Sequence, residues 1–333
     1  MKKKVELPIS DPIYTTYHIQ GIAGAVLTEN PSIRNWYLNE IMVLTCNRNF
    51  LYGFSTPWVY VCDSSFRKNP HLEKIVIPMK YLDGQIHYVI RKLIDDGYYV
   101  AFDGVDDYYV QGKTWYKERH FHYDGLICGY DQENKTYSMQ AYDQSWIYRV
   151  FQTPQKCFDA GRKAAFREGR YGDICAIKPT ADIVELDPKH ICEKLKRYLS
   201  TSLDRYPLYV NGPVFGTVVH DYVAMFLNML RNGTIPHERM DRRVFRMIWE
   251  HKKVMLERVL AVEESLGLDH KISGQYEAVV KEADAMRMLY ASHFLKQRNS
   301  LLPCIRNKLI EVKNSEKEIL NAFVSQLEGK LEG

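Results

Sequence analysis

Two histidines and an aspartate between residues 120 and 143 have the types and spacing of an acid–base pair. His122 begins a segment that turns apolar, GLICGY, and Asp143 ends the next apolar run. The five-residue DQENK segment between them predicts a hairpin turn centred near residue 133, which sets His122 opposite residue 144. Because a histidine titrates near neutral pH and a carboxylate can orient it, we expect His122 to act as general base and Asp143 as its orienting partner. An ordinary strand-end histidine is the alternative.

Acidic and aromatic side chains precede this pair. An acidic cluster is formed by Asp103, Asp106 and Asp107, with Asp124 nearby. Its spacing fits no calcium loop, so no metal site is predicted. We expect either a solvated loop or a carboxylate patch that binds an amine, with Asp107 and Tyr109 among the substrate-binding residues. The aromatic residues that would line such a pocket, or simply pack the loop, are Tyr108, Tyr109, Trp115 and Tyr116.

The elements that must position these residues belong to an α+β domain. Residues 84–96 carry apolar residues at helical spacing and predict an amphipathic helix that ends at Gly97. Thr153 and Pro154 predict the N-cap and first residue of another helix. The remaining predicted elements are helices at 20–28 and 33–46 and strands at 50–63, 73–80, 98–102, 121–130, 136–143 and within 168–187.

The chain changes character near residue 185, where we place a domain boundary. From residue 188 onward the pattern is mainly helical, with helices predicted at 188–200, 217–231, 240–266, 273–298 and 301–329. The predicted fold class is therefore α+β, with a papain-like domain built on a central antiparallel sheet at residues 1–185, followed by an all-α region at 186–333.

Composition excludes several classes of protein. Apolar residues make up 46% of 333, which is enough for a full core, and the net charge of +4 requires neither nucleic acid nor a membrane surface. No run of about 18 apolar residues is present, and the N-terminal segment lacks the apolar block of a signal peptide. The seven scattered cysteines include no CxxC pair, so free thiols are expected rather than disulfides or zinc. We expect a cytoplasmic protein.

The order of residues around the histidines resembles a known family. The residues that match the pattern of that family are Leu93, Gly97, Val100, Asp107, Tyr108, Tyr109, Tyr116, His120, His122, Gly129, Tyr130, Asp131 and Asp143. In addition, Asn39–Met42 is similar to the family's short S-E-x-M helix. The family is the N-terminal domain of the butirosin-biosynthesis BtrH acyltransferases, and the resemblance covers roughly residues 14–180. It implies a papain-like fold and transfer of an acyl group from a carrier-protein thioester onto an amine.

Enzymes of this family use a cysteine at the start of the first domain helix, where the helix dipole stabilises a thiolate. Here His18 is followed by Ile19, Gln20 and Gly21, with no cysteine nearby. Cys46 is the nearest candidate nucleophile, although it is predicted to close a helix rather than open one. Gln20 is expected to serve as an oxyanion donor or a polar placeholder, and His18 and His120 as substrate-binding residues.

Two functions remain open at this point. The first is an acyltransferase of natural-product biosynthesis that forms or cleaves an amide or thioester. The second is a catalytically inactive papain-like relative that binds a carrier protein or a peptide. The expected partners are an acidic carrier protein, whose phosphopantetheine would hold the acyl donor, and an amine-bearing acceptor; a homodimer is left open. A row of basic residues suits docking of that carrier: Arg242, Arg243, Arg246, Lys252, Lys253 and Arg258. No GxGxxG or GxxxxGK loop supports an ATP or NAD cofactor.

Overall fold

The chain folds into two compact units, each built from two separate chain segments. The computed structural model describes residues 2–27, 31–53, 56–206 and 212–331. Unit 1 comprises Met1–Ile33 and Ser64–Ile183, and unit 2 comprises Arg34–Asp63 and Val184–Gly333. The second junction lies two residues from the boundary predicted at 185, whereas the assignment of residues 34–63 to the helical unit had no signal in the sequence.

A seven-stranded antiparallel sheet forms the centre of unit 1. Its strands run in the order β4-β9-β5-β6-β7-β8, and β1 pairs with the far end of β6 beside β5. The strands are β1 (Lys4–Glu6), β4 (Leu72–Pro78), β5 (Tyr99–Asp106), β6 (His122–Asp131), β7 (Thr136–Tyr142), β8 (Tyr148–Pro154) and β9 (Asp173–Pro179). The predicted hairpin register is confirmed, since Leu126 pairs with Gln140 and Ile127 with Met139.

Two helices cover one face of this sheet. Helix α3 (Ile86–Asp95) buries Ile86, Ile90 and Ile94, the repeat that predicted it, and α4 (Gln155–Arg167) contributes Phe158. These side chains form one core with strand residues that include Phe102 and Ile174. Alternation along the strands sends their neighbours Ala101 and Cys175 to the opposite face.

Helix α1 (His18–Leu27) packs against the opposite face of the sheet. Its small residues permit a close approach, as a Cβ on Gly21 would lie 2.7 Å from the Tyr148 ring. The predicted helix at 20–28 is confirmed within the described residues, and its expected end at Thr28 lies outside them. Helix α2 (Pro31–Glu40) follows.

Unit 2 consists of long helices and a small three-stranded sheet. The helices are α5 (Pro188–Leu199), α6 (Val219–Arg231), α7 (Arg243–Leu266), α8 (Lys271–Lys296) and α9 (Leu302–Leu331), and they confirm the predicted helical C-terminal region. The sheet runs β10 (Val214–Phe215), β2 (Leu44–Cys46), β3 (Val59–Val61), all antiparallel. The molecule is thus of the α+β class.

A buried ion pair ties the helices of unit 2 together. The Glu316 carboxylate of α9 accepts hydrogen bonds from Lys252 of α7 at 2.6 Å, Tyr198 of α5 at 2.9 Å and Tyr276 of α8 at 2.5 Å. Lys252 and Glu316 have no solvent exposure. A buried carboxylate needs this degree of hydrogen bonding to offset its lost hydration.

Several predicted elements are corrected. The helix expected at 33–46 ends at Glu40, and Leu44–Cys46 is a strand, because its apolar side chains are buried between β3 and β10. In place of a strand over 50–63, the described residues form a 3-10 turn at Asn49–Tyr52 and the short β3; residues 54 and 55 lie outside the description.

The prediction also missed two strands of the large sheet. Thr153 is part of β8, which pairs along the whole of β7, and Pro154 is the N-cap of α4 rather than its first residue. Strand β1 had no sequence signal of its own. No helix among the described residues is long and apolar enough to cross a membrane.

Candidate functional site

His122 lies at the first position of β6, beside two carboxylates that follow other elements. Its register partner is Asp106, the last residue of β5. Its Nε2 is 3.3 Å from Oε2 of Glu168, the residue that caps the C-terminus of α4. Ligand atoms of Asp106, His122 and Glu168 all lie within 4.8 Å of one another. His122 therefore has acidic partners, but they differ from the one expected.

Asp143 is not brought to His122. Its Oδ1 accepts hydrogen bonds from the backbone amides of Ser145 at 2.8 Å and Ile147 at 2.9 Å, and its Oδ2 is 2.5 Å from Nε of Arg149. Asp143 thus stabilises the turn that leads from β7 to β8. The predicted register brought residues 122 and 143 close together, but Asp143 lies just past the end of β7 and its carboxylate is bound within the turn. The expected orienting pair therefore does not form.

His18 occupies the start of α1, where the family resemblance implies a thiol. The ring is 2% exposed and lies against Tyr123, Tyr142 and Tyr148, with centroid separations of 4.4, 5.3 and 5.5 Å. Nδ1 donates to the carbonyl of Asp124 at 2.8 Å, and Nε2 accepts from the backbone amide of Tyr142 at 3.4 Å. Burial, with the charge of Lys113, lowers the pKa of His18 to about 3. This histidine is a neutral packing residue.

His18 and His122 contact different elements. His18, at the start of α1, packs against Tyr123 of β6 and binds the Asp124 carbonyl. His122 instead approaches Glu168 at the end of α4. No hydrogen bond or ring contact joins the two histidines in the described part of the chain, so the helix-start group and the strand-start histidine do not act on each other directly.

Cys46 has the properties of a core thiol. It lies in β2 of unit 2, is fully buried, and burial raises its pKa well above the ordinary value. Its Sγ is 3.0 Å from the carbonyl of Asn47. Because the thiolate is the reactive form of cysteine, this environment opposes nucleophilic chemistry.

The four other predicted binding residues have structural partners. Gln20 is buried and its Nε2 donates to Oγ of Ser64 at 2.6 Å. Asp107 forms a buried ion pair with Lys113 at 2.5 Å. Tyr109 packs edge-on against Tyr108.

His120 is the most exposed of the four. Its side chain is 56% exposed, its ring stacks on Tyr108, and its Nδ1 is 2.7 Å from Oδ2 of Asp106. Because Asp106 is also the register partner of His122, the two histidines adjoin the same carboxylate.

A cavity of about 220 Å³ opens on the α1 face of the sheet, within unit 1. Ile19 and Ile22 of α1 form an apolar wall. Three aspartates also line it, Asp103 of β5, Asp124 of β6 and Asp173 of β9. The other lining residues are Arg67, Phe66, Ala101, Phe102 and Cys175. The cavity therefore combines an apolar wall with an excess of negative charge.

The three carboxylates of the cavity are not equivalent. Asp103 is engaged on both oxygens, by Arg67 at 2.7 Å and by the backbone amide of Asp173 at 2.7 Å. The Asp124 side chain has no hydrogen-bond partner among the described residues, although its backbone carbonyl binds His18 and Lys113. Burial raises the pKa of Asp124, and the charge of Lys113 opposes that rise. Asp124 is thus a carboxyl group available to a ligand.

Lys113 was not anticipated from the sequence. Its side chain has no solvent exposure, and its ammonium binds the Asp107 carboxylate and the Asp124 carbonyl at 2.5 and 2.9 Å. Nothing in the segment QGKTW distinguishes this lysine from a surface one. Glu168 and Asp173 were missed for a similar reason, because each comes from an element remote in sequence from the histidines.

The basic row predicted on α7 is divided between surface and core. Lys252 and Arg258 are buried, the latter donating to the carbonyls of Leu38 and Ile41 at 2.6 and 2.7 Å. At the exposed end, Arg243 pairs with Asp241 at 2.6 Å. These six cations do not form one docking face.

Comparison with known proteins adds no family. No model of a known protein family matches the chain, and no curated protein matches it.

Proposed function

We propose that unit 1 binds a small organic amine in the cavity beside α1, as a papain-like relative without cysteine chemistry. The observation that carries this proposal is the half-buried Asp124 carboxyl, which lines the cavity and has no described hydrogen-bond partner. A protonated amine would supply the hydrogen bonds that this group lacks and would place a positive charge in direct contact with it.

The size of the cavity limits the ligand. At about 220 Å³ it is smaller than typical drug-sized ligand pockets, which hold roughly 300–1,000 Å³. It suits a small amine, or the amine-bearing end of a longer molecule. Ile19 and Ile22 would contact the carbon atoms next to the amine, and the aspartates would face the nitrogen.

The two positions considered for a nucleophile support binding over cysteine catalysis. A neutral, buried histidine stands at the start of α1, and Cys46 is sealed in β2. None of the seven cysteines, all of which lie in described residues, forms a disulfide. Free thiols suit a reducing compartment, so the cytoplasm is part of this proposal. A peptide or carrier-protein partner is also proposed, on the resemblance to the BtrH family alone.

Titration with n-propylamine and with n-propanol tests the proposal, since the two probes differ in charge but little in shape. Saturation-transfer NMR on the full chain should detect the amine and not the alcohol. Asp124→Asn should weaken amine binding about 10-fold or more, because a hydrogen bond to a charged group contributes about 1.5–3 kcal/mol. Asp96→Asn removes an exposed carboxylate outside the cavity and should leave binding unchanged. Equal affinity in Asp124→Asn and wild type would refute the site.

Acyl transfer to the bound amine is a second candidate, favoured by the raised pKa of Asp124. Such a carboxylate could accept a proton from the ammonium group, freeing the amine to attack a thioester carbonyl. The new C–N bond replaces the C–S bond, and the departing thiolate takes up a proton. Wild type should then form an amide from propylamine and an N-acetylcysteamine thioester, and Asp124→Asn should not. Binding without amide formation would leave only the first candidate.

A further inference from the structure

A second cluster of polar side chains lies at the C-terminus of α4 in unit 1, and none of its members lines the amine cavity. It combines the carboxylates of Asp106 and Glu168 with the imidazole of His122, and His120 adjoins it. The members come from the end of β5, the start of β6 and the cap of α4. Three elements thus converge on one point with ligand atoms within 4.8 Å of one another.

We propose that Asp106, His122 and Glu168 bind a divalent transition metal ion, with Zn²⁺ the best match. A nitrogen and two carboxylate oxygens suit zinc and its neighbours, whereas calcium and magnesium prefer oxygen ligands alone. Ligands about 2.0–2.1 Å from a tetrahedral zinc are ~3.3 Å apart. The His122 Nε2 to Glu168 Oε2 separation is 3.3 Å.

Asp106 is already oriented for this role. Its Oδ1 accepts hydrogen bonds from the backbone amides of Tyr108 and Phe121 at 3.1 and 3.2 Å. Its Oδ2 bonds only to Nδ1 of His120 and keeps a second lone pair for a metal. The carboxyl group is fully buried, so its direction is set by the fold. Fixing of a ligand by such outer contacts is characteristic of metal sites.

The outer side of the cluster is open. Glu168 is 48% exposed and His122 is 11% exposed, so an ion can enter past Glu168. Three protein ligands would leave a fourth position for water or for His120. Arg170 is the nearest competing cation, with Nε 3.7 Å from Oε2 of Glu168. Metal binding would displace that weak contact.

Binding of Co²⁺ and Zn²⁺ to the full, metal-stripped chain tests this site. Calorimetry should give one equivalent of Zn²⁺, and bound Co²⁺ should show the intense visible absorption of a four-coordinate ion without a thiolate charge-transfer band. His122→Ala and Glu168→Gln should each weaken binding at least about 10-fold, since loss of even an outer partner costs about 10–100-fold. Circular dichroism would confirm that these variants fold.

Two controls make the test specific. His71→Ala removes a histidine that pairs with Asp182 elsewhere in unit 1, and it should leave the affinity unchanged. Arg170→Gln removes the competing cation and should leave binding equal or tighter. A thiolate band that persists in His122→Ala would assign the metal to cysteine and overturn the proposal, as would unchanged affinity in the folded His122→Ala and Glu168→Gln variants. Amine binding at Asp124 is independent of either result.

Discussion

At the scale of single residues, burial decides which titratable groups can do chemistry. His18 donates a hydrogen bond to the backbone carbonyl of Asp124, yet the two side chains differ in their access to a ligand. The His18 ring has both nitrogens occupied and is enclosed by three tyrosines, so it stays neutral. The Asp124 carboxyl lines a cavity and keeps its oxygens for a ligand. Of these two groups, the Asp124 carboxyl on β6 is therefore the one that is open to a ligand.

The depressed pKa of His18 predicts a loss of stability in acid. The folded protein holds this histidine neutral down to about pH 3, whereas the unfolded chain protonates it near 6.5. Between these values the unfolded state binds more protons, so the free energy of unfolding should fall by about 1.4 kcal/mol for each pH unit lowered. His18→Gln keeps a donor and an acceptor but does not titrate. Urea unfolding at several pH values should give a shallower slope for His18→Gln; identical slopes would contradict the assignment.

The raised pKa of Asp124 predicts that amine binding weakens at mildly acidic pH. Protonation removes the negative charge that holds the ammonium group, and burial moves that protonation above the pH range of an exposed aspartate. Affinity for n-propylamine should therefore fall on going from neutral to mildly acidic pH in wild type. The residual binding of Asp124→Asn should not change with pH, and a parallel fall in both proteins would assign the effect to another group.

At the scale of elements, the approach of α1 to the sheet depends on small side chains. Gly21 lies under the Tyr148 ring of β8. A larger residue at position 21 would push α1 away from β8, and this shift would move Ile19 and Ile22, which form a wall of the cavity. The strand that supplies Tyr148, β8, is also one of the two that local sequence signals failed to reveal. The geometry of the cavity is thus set by a helix and a strand whose contact is invisible in either segment alone.

Gly21→Ala should destabilise the protein by about 1–3 kcal/mol, because the added methyl would overlap the Tyr148 ring. Gly274→Ala is the matched control, since Gly274 lies within α8 and its added Cβ meets nothing within 4 Å. That substitution should stabilise by about 0.5–1 kcal/mol through helix propensity. Thermal unfolding of both variants measures the difference in sign, and two changes of the same sign would contradict the packing described for α1.

At the scale of the whole molecule, unit 2 is held by a polar network as well as by its apolar helices. Glu316 connects four helices through Lys252, Tyr198 and Tyr276. Loss of one charge leaves the other buried without a partner, which is far more costly than loss of a surface pair.

Lys252→Met should therefore lower the free energy of unfolding by about 3–5 kcal/mol, since it leaves the buried Glu316 carboxylate without a cationic partner. Glu282→Gln, which breaks the exposed Lys308–Glu282 pair between α8 and α9, should cost no more than about 1 kcal/mol. The double variant Lys252→Met with Glu316→Leu should recover part of the lost stability. Denaturant titration of the variants tests the order, and equal costs for the buried and exposed pairs would refute it.

How much could be foreseen depends on how local the signal was. The α3 periodicity, the β6–β7 register and the helices of unit 2 follow from neighbouring residues, and these predictions are confirmed. The partners of His122 could not be predicted from neighbouring residues. Asp106 is brought to His122 by the pairing of β5 with β6, and Glu168 is brought to it by the packing of α4. Asp143 was chosen for closeness in register, which specifies a position along the strand but not a face of the sheet.

The division of each unit between two chain segments has a consequence for synthesis on the ribosome. Leu38 and Ile41 offer carbonyls whose donor, Arg258, is made more than two hundred residues later. At a translation rate of roughly 5–20 residues per second, Arg258 is synthesised about 10–40 s after these carbonyls. During this interval the segment that holds Leu38 and Ile41 has left the ribosome without α7, the helix that carries Arg258. We expect this segment to be the part of the nascent chain most dependent on chaperones.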